Sequence, residues 1–237
     1  MVYLIVLACQ NVTGERAQSL STDIEMITIS DSQHPDGEFQ IDRYEYPNRK
    51  GALPTAYVSL EQAKAGCQEL GKRLCTAAEW RRACMGPQGH RFSYGPKFQP
   101  KCHIEKQLNS GHSSMMKPEE NLIKSGDLAE CQSSEGVFDL IGNLEEWVLD
   151  DWHGSPGSLE GGAWYTFLQY ADCSGNYSRQ PDYRTPIGRR VFSAGYRCCL
   201  SKSEPTKSEL KRDAQSRVST TTPTATYVPE NELLLSG

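Results

Sequence analysis

Apolar residues along this chain come in short pieces, and two segments carry complete helix signals. Ser59-Leu60-Glu61-Gln62 has the Ser-x-x-Gln spacing of a capping box, and Gly71 stops the helix it opens. Thr76-Ala77-Ala78-Glu79 is a second capping box; Trp80, Ala83 and Cys84 then supply a buried face, and Gly86 ends that helix. Downstream the pattern changes to apolar fragments separated by Gly, Pro, Asn and Asp. The segments 136–143 (GVFDLIGN), 145–152 (EEWVLDDW), 160–167 (EGGAWYTF) and 192–200 (FSAGYRCCL) read as strands and turns. Two helices followed by a loop-rich, short-stranded half predict an α+β fold.

Density of apolar and aromatic residues is highest between residues 25 and 200, which we take as one domain. Residues 10–24 are polar and unpatterned, as in a tether. Residues 201–237 are rich in Ser, Thr, Lys, Glu and Pro and read as a disordered tail. With 37% hydrophobic residues in 237, the chain can fill one core of ordinary size. A net charge of −5 argues against nucleic-acid binding, which needs a basic face. No apolar run reaches the length of a membrane span.

Nine cysteines point to an oxidising compartment or to metal, and nine is odd. Residues 1–9, MVYLIVLAC, resemble the end of a bacterial lipoprotein signal, with Val6-Leu7-Ala8-Cys9 as the processing box. The charged start of such a signal is missing and the apolar stretch is short. On this reading Cys9 is acylated and anchors the chain to the cell envelope as a periplasmic or surface lipoprotein. The alternative is a hydrophobic terminus with a free thiol.

The remaining eight, Cys67, Cys75, Cys84, Cys102, Cys131, Cys173, Cys198 and Cys199, are expected in disulfides. Cys198 and Cys199 point to opposite faces of a strand and so need different partners. Cys75 and Cys84 flank a helix that separates them by roughly 12 Å, too far for a bridge. Cys102 with Cys131 encloses the irregular middle of the domain and is the preferred pair. A further bridge is expected from Cys67, Cys75 or Cys84 to the end strand. Each such loop contributes roughly 3–4 kcal/mol in the chain-entropy model. The spacings of structural zinc sites are absent. His34, His90, His103, His112 and His153 lie in polar loops and read as surface residues.

The motifs FQIDRYEYPNRKG (39–51), VSLEQAKAGCQELGKRLCTAAEWRRAC (58–84), GVFDLIGNLEEWVLDDW (136–152), EGGAW (160–164) and AGYRCC (194–199) occur in an order that resembles the sulfatase-modifying-factor family. The founding member of that family is the formylglycine-generating enzyme. The resemblance covers about residues 25–200. It implies a loop-rich, disulfide-containing variant of the C-type lectin fold. It also implies a copper site of two thiolates that, with oxygen, oxidises a sulfatase cysteine; soft thiolates suit copper(I). After Gly161-Gly162-Ala163 the matching positions are Thr166 and Ala171, which supply no thiolate. Copper is therefore not expected, and Cys173 reads as half of a disulfide. The resemblance further implies a structural calcium held by the side chains of Asp139 and Glu146 and the carbonyls of Gly142 and Leu144, oxygen donors of the kind calcium takes. The family's other calcium segment departs from pattern between residues 103 and 130 and is not carried over.

Trp80, Trp147 and Trp164 are expected in the core, with Trp152 partly exposed. Arg43, Glu45 and Arg197 read as members of buried or half-buried ion pairs, and Lys72 and Arg73 as a solvated helix terminus. Taken together, these features favour a monomeric, calcium-stabilised binding module at the envelope. It would recognise a peptide, protein or glycan on loops carried by a rigid scaffold. Two alternatives stand beside it: a divergent formylglycine-generating oxidase or other metal-dependent oxidoreductase, and a purely structural envelope protein.

Overall fold

A computed structural model describes residues 25–104, 117–150, 156–175 and 190–201. Cys9, the segments 1–24 and 202–237, Trp152, His112 and His153 lie outside them.

Both helix signals act as expected. Helix α1 (Leu60–Glu69) starts at Ser59, whose hydroxyl accepts from the Gln62 amide while the Gln62 side chain accepts from the Ser59 amide. It buries Leu60, Ala63 and Cys67, one stripe along the helix. Helix α2 (Ala77–Met85) repeats the device with Thr76 and Glu79, and buries Trp80, Ala83 and Cys84. Gly86 ends it at φ 64°, a left-handed conformation that suits glycine.

The described strands form two small sheets. In the first, β1 (Met26–Ser30), β2 (Glu38–Asp42), β7 (Cys198–Ser201) and β3 (Arg73–Leu74) lie side by side in that order, all antiparallel. In the second, β4 (Glu145–Val148) is central, antiparallel to β5 (Ser158–Glu160) and parallel to β6 (Ala194–Tyr196). Strands β6 and β7 are separated only by Arg197, so the chain changes sheets at that residue. The β1–β2 hairpin was not anticipated. Its alternation is legible in ITI and FQI, on either side of the turn-forming DSQHPDG.

Two segments expected to contain strands are mostly turns. Residues 136–143 form no strand, Phe138 making only an isolated bridge with Gln132, and residues 161–167 are a turn after β5. Asp139, Gly142 and Asn143 all take positive φ, which rules out an extended run. A side chain at Gly142 would meet the His103 carbonyl at 2.3 Å, so this turn needs glycine there.

Each of three buried tryptophans anchors one apolar cluster. Trp80 packs with Ile29, Ile41, Leu140 and Ala171. Trp147 packs with Leu60, Leu159 and Tyr196. Trp164 packs with Leu144 and Ala163. Four disulfides tie the elements together: Cys67–Cys198, Cys75–Cys199, Cys84–Cys173 and Cys102–Cys131. Adjacent Cys198 and Cys199 bond different partners because alternate strand residues face opposite ways. The set fits an oxidising compartment, and no helix among the described residues is long and apolar enough to cross a membrane.

Lys72 and Arg73 are not a solvated terminus. Lys72 Nζ pairs with buried Asp42, and Arg73 grips Glu79 with both terminal nitrogens at 2.8 and 2.6 Å. His34, expected at the surface, is half-buried against Glu79 at 3.1 Å. His103 likewise reaches the Asn121 carbonyl at 2.8 Å. Tertiary contacts made by the β1–β2 hairpin and the loops explain these differences.

Candidate functional site

At the sheet junction, Arg197 is fully buried. Its Nε and Nη2 donate to the two oxygens of Glu146 at 2.6 Å each, a fork-to-carboxylate match. Its remaining donors reach the Phe138 carbonyl at 2.8 Å and the Asp42 carbonyl at 3.1 Å. Trp80 Nε1 donates to Glu146 at 2.8 Å. Beside this pair lie Asp139, which accepts from the Gly126 amide at 2.7 Å, and Glu45. Glu45 accepts from Asn143 Nδ2 at 2.8 Å, Ser125 Oγ at 3.1 Å and the Leu144 amide at 3.2 Å.

Three buried carboxylates share one guanidinium. Burial, then the neighbouring Asp139 and Glu146 charges, push the Glu45 carboxyl well above its ordinary value. Burial also pushes Asp139 up to about 6, although the Gly126 amide and Arg197 oppose the shift. Arg43 pairs with Glu25 rather than Glu45. The described partners of Glu45 are neutral donors, so its expected ion pair is corrected.

Asp139, Gly142, Leu144 and Glu146 do come together, but their arrangement does not fit the calcium that the resemblance implies. The cation at Glu146 is the Arg197 guanidinium, which engages both carboxylate oxygens. A divalent ion there would meet a buried positive charge and a carboxylate already bonded to three donors. Among the described residues, no group of three or more His, Cys, Asp and Glu is placed to hold a metal ion.

The positions matching the copper thiolates perform packing. Thr166 Oγ1 accepts from the Ala163 amide at 2.8 Å and closes the turn after Gly161-Gly162. Ala171 is buried in the Trp80 cluster, and Cys173 is bonded to Cys84. Thr166 and Ala171 supply no thiolate, so a two-thiolate copper(I) site does not fit at these positions.

Between those two positions the chain lines an open groove of about 710 Å³. Phe167 and Leu168 form one side; Phe92, Phe98, Arg91 and Lys97 form the other. Phe167 is 66% exposed and Phe98 40%, far more than core aromatics allow. Arg91 lies over the Phe92 ring at 5.3 Å and bonds Asp172 at 3.1 Å. The groove offers aromatic surface and, at Lys97, positive charge. Sequence reasoning missed its Phe92–Phe98 wall, although RFSYGPKF mixes aromatic and basic residues around a Gly-Pro turn.

Comparison with known proteins agrees with the motif order. The profile of the sulfatase-modifying factor enzyme 1-like domain matches residues 8–201. Inactive C-alpha-formylglycine-generating enzyme 2 of Bos taurus is 28% identical over 161 residues, 65% of this chain and 52% of that protein. Formylglycine-generating enzyme of Mus musculus is 31% identical over 102 residues, 42% of this chain and 27% of that protein. The chain thus spans about half, or less, of the length of these curated relatives. Among solved structures, Treponema denticola variable protein 1 superposes with a TM-score of 0.53 at 15% identity, covering 74% of this chain and 94% of that one. That likeness concerns the fold, the loop-rich formylglycine-generating-enzyme-like variant of the C-type lectin fold. With a profile match over most of its length, the chain belongs to the sulfatase-modifying factor enzyme 1-like domain family.

Proposed function

We propose that this chain is a non-catalytic recognition module that holds an extended peptide or protein segment in the groove between Phe98 and Phe167. One observation carries the reading: where the resemblance calls for a thiolate pair, the chain has Thr166 and Ala171, and the residues between them present aromatic surface. Aromatic side chains bind with large contact area and little entropy loss. Lys97 favours a ligand bearing a carboxylate beside an apolar side chain. Inactivity is named for a relative that overlaps 65% of this chain, which is consistent with loss of the chemistry. Acylation at Cys9 would hold the module at a bacterial envelope, where its four disulfides persist.

Two assays test the proposal on the full chain. Copper-loaded protein is incubated with oxygen and a sulfatase-type cysteine peptide, and the product is weighed by mass spectrometry; conversion to formylglycine refutes the reading. A random peptide library is then panned against the chain and against Phe167→Ala and Phe98→Ala variants. Enriched acidic, aromatic-containing peptides should lose about tenfold or more in affinity to either variant. Equal retention by all three proteins removes the groove from the proposal.

A further inference from the structure

A second cavity of about 550 Å³ has a different chemistry. Residues 90–101 contribute to both: Arg91, Phe92, Lys97 and Phe98 line the aromatic groove, while His90, Ser93, Tyr94 and Lys101 line this one. Its other wall includes Gln132 and Ser134. Hydroxyl, imidazole and amide groups therefore surround a space within the usual range for small-ligand sites.

Ser93 carries the functional argument. The residue is 5% exposed, and its buried hydroxyl has no hydrogen-bond partner. An unpaired buried hydroxyl destabilises the fold, and one bordering a cavity marks a place where a ligand relieves that deficit. Turning Oγ toward the cavity breaks no hydrogen bond, because it makes none.

Charge then selects the ligand class. Lys101 is paired with Glu130 at 2.9 Å, and Glu135 is paired with Arg82 at 2.9 Å. The acids and bases at the rim cancel, so no net charge is available for a phosphate or carboxylate. Burial raises the Tyr94 phenol above its ordinary value, so it stays neutral. The Tyr94 ring is steadied by stacking on Phe92, with centroids 5.5 Å apart and planes 2° from parallel. A fixed aromatic ring beside groups that both donate and accept suits a molecule with C–H faces and many hydroxyls.

We propose that the cavity bordered by His90, Ser93, Tyr94 and Gln132 binds a neutral mono- or disaccharide, independently of the aromatic groove. The test is saturation-transfer NMR on the full chain with glucose, galactose, mannose, N-acetylglucosamine and their common disaccharides. At least one sugar should give a saturable signal below about 20 mM. Ser93→Ala, which removes a hydroxyl without a partner, should keep or raise the melting temperature and weaken that signal about fivefold or more. Tyr94→Leu should weaken it as well, whereas Phe167→Ala should leave it unchanged. Silence across the panel overturns the proposal. So does binding that survives both cavity variants, that depends on Phe167, or that is stronger for glucose 6-phosphate than for glucose.

Discussion

Replacing Arg197 by Met should be the most damaging single change in the described domain. The side chain bridges two sheets and makes close hydrogen bonds to Glu146, Phe138 and Asp42. Met fills much of the volume but leaves the Glu146 carboxylate buried with only Trp80 as a charge-stabilising donor. Removing one partner of a buried pair costs about 3–5 kcal/mol. Domain stabilities run from about 5 to 15 kcal/mol, so about a fifth or more of the total is at stake. For a chain of this size, the melting temperature should fall by roughly 6–20 °C. Arg197→Lys should recover little, since an ammonium cannot reproduce the two-pronged contact. The double variant Arg197→Met/Glu146→Gln should be more stable than Arg197→Met by about 1–3 kcal/mol, because no charge is then stranded. Urea unfolding under non-reducing conditions, followed by emission of the buried tryptophans, measures all four proteins. A cost below about 1 kcal/mol for Arg197→Met would refute the argument.

Three further expectations concern protons, metal and cross-links. Asp139 is raised to about 6 from 3.8, and Asp42 and Glu45 are also raised, so between these pH values the folded chain binds protons that the unfolded chain releases. Stability should therefore increase as pH falls from about 7 to 5 and decline again once Glu79 is protonated. Burial opposes ionisation of Glu79, but Arg73 and the Thr76 amide hold its carboxyl below the ordinary value, which puts that loss at lower pH. Asp139→Asn should flatten the slope in urea midpoints, and an unchanged slope counts against the cluster. Because Arg197 stands at Glu146, adding a chelator should leave the melting temperature of the wild type unchanged; a drop that Asp139→Asn abolishes would restore the calcium reading. Bridges spanning 124 and 29 residues constrain the unfolded chain unequally. Because Cys67–Cys198 already closes nearly the same loop, replacing Cys75 and Cys199 by Ser should cost only about 2–3 kcal/mol, against about 3–4 kcal/mol for Cys102 and Cys131, as read from non-reducing melts.

The legible parts of this protein were those decided by neighbours in sequence. Both capping boxes place donor and acceptor three residues apart, so Ser59 and Thr76 announce their helices without help from the rest of the chain. Opposite facing of Cys198 and Cys199 follows from strand geometry alone, and the five ordered motifs carried the family. Tertiary structure decided that Cys67 meets Cys198 and Cys75 meets Cys199, because that depends on which face of β7 helix α1 covers and on β3 lying beside β7, neither of which a local pattern encodes. It also decided the fate of Asp139 and Glu146. In sequence they are carboxylates flanking a Gly-Asn turn, a plausible cation seat, while the Arg197 charge that engages them is more than fifty residues away in the chain. Coulomb interactions act through space, so a motif shows which charges are present and only the fold shows which charge answers them.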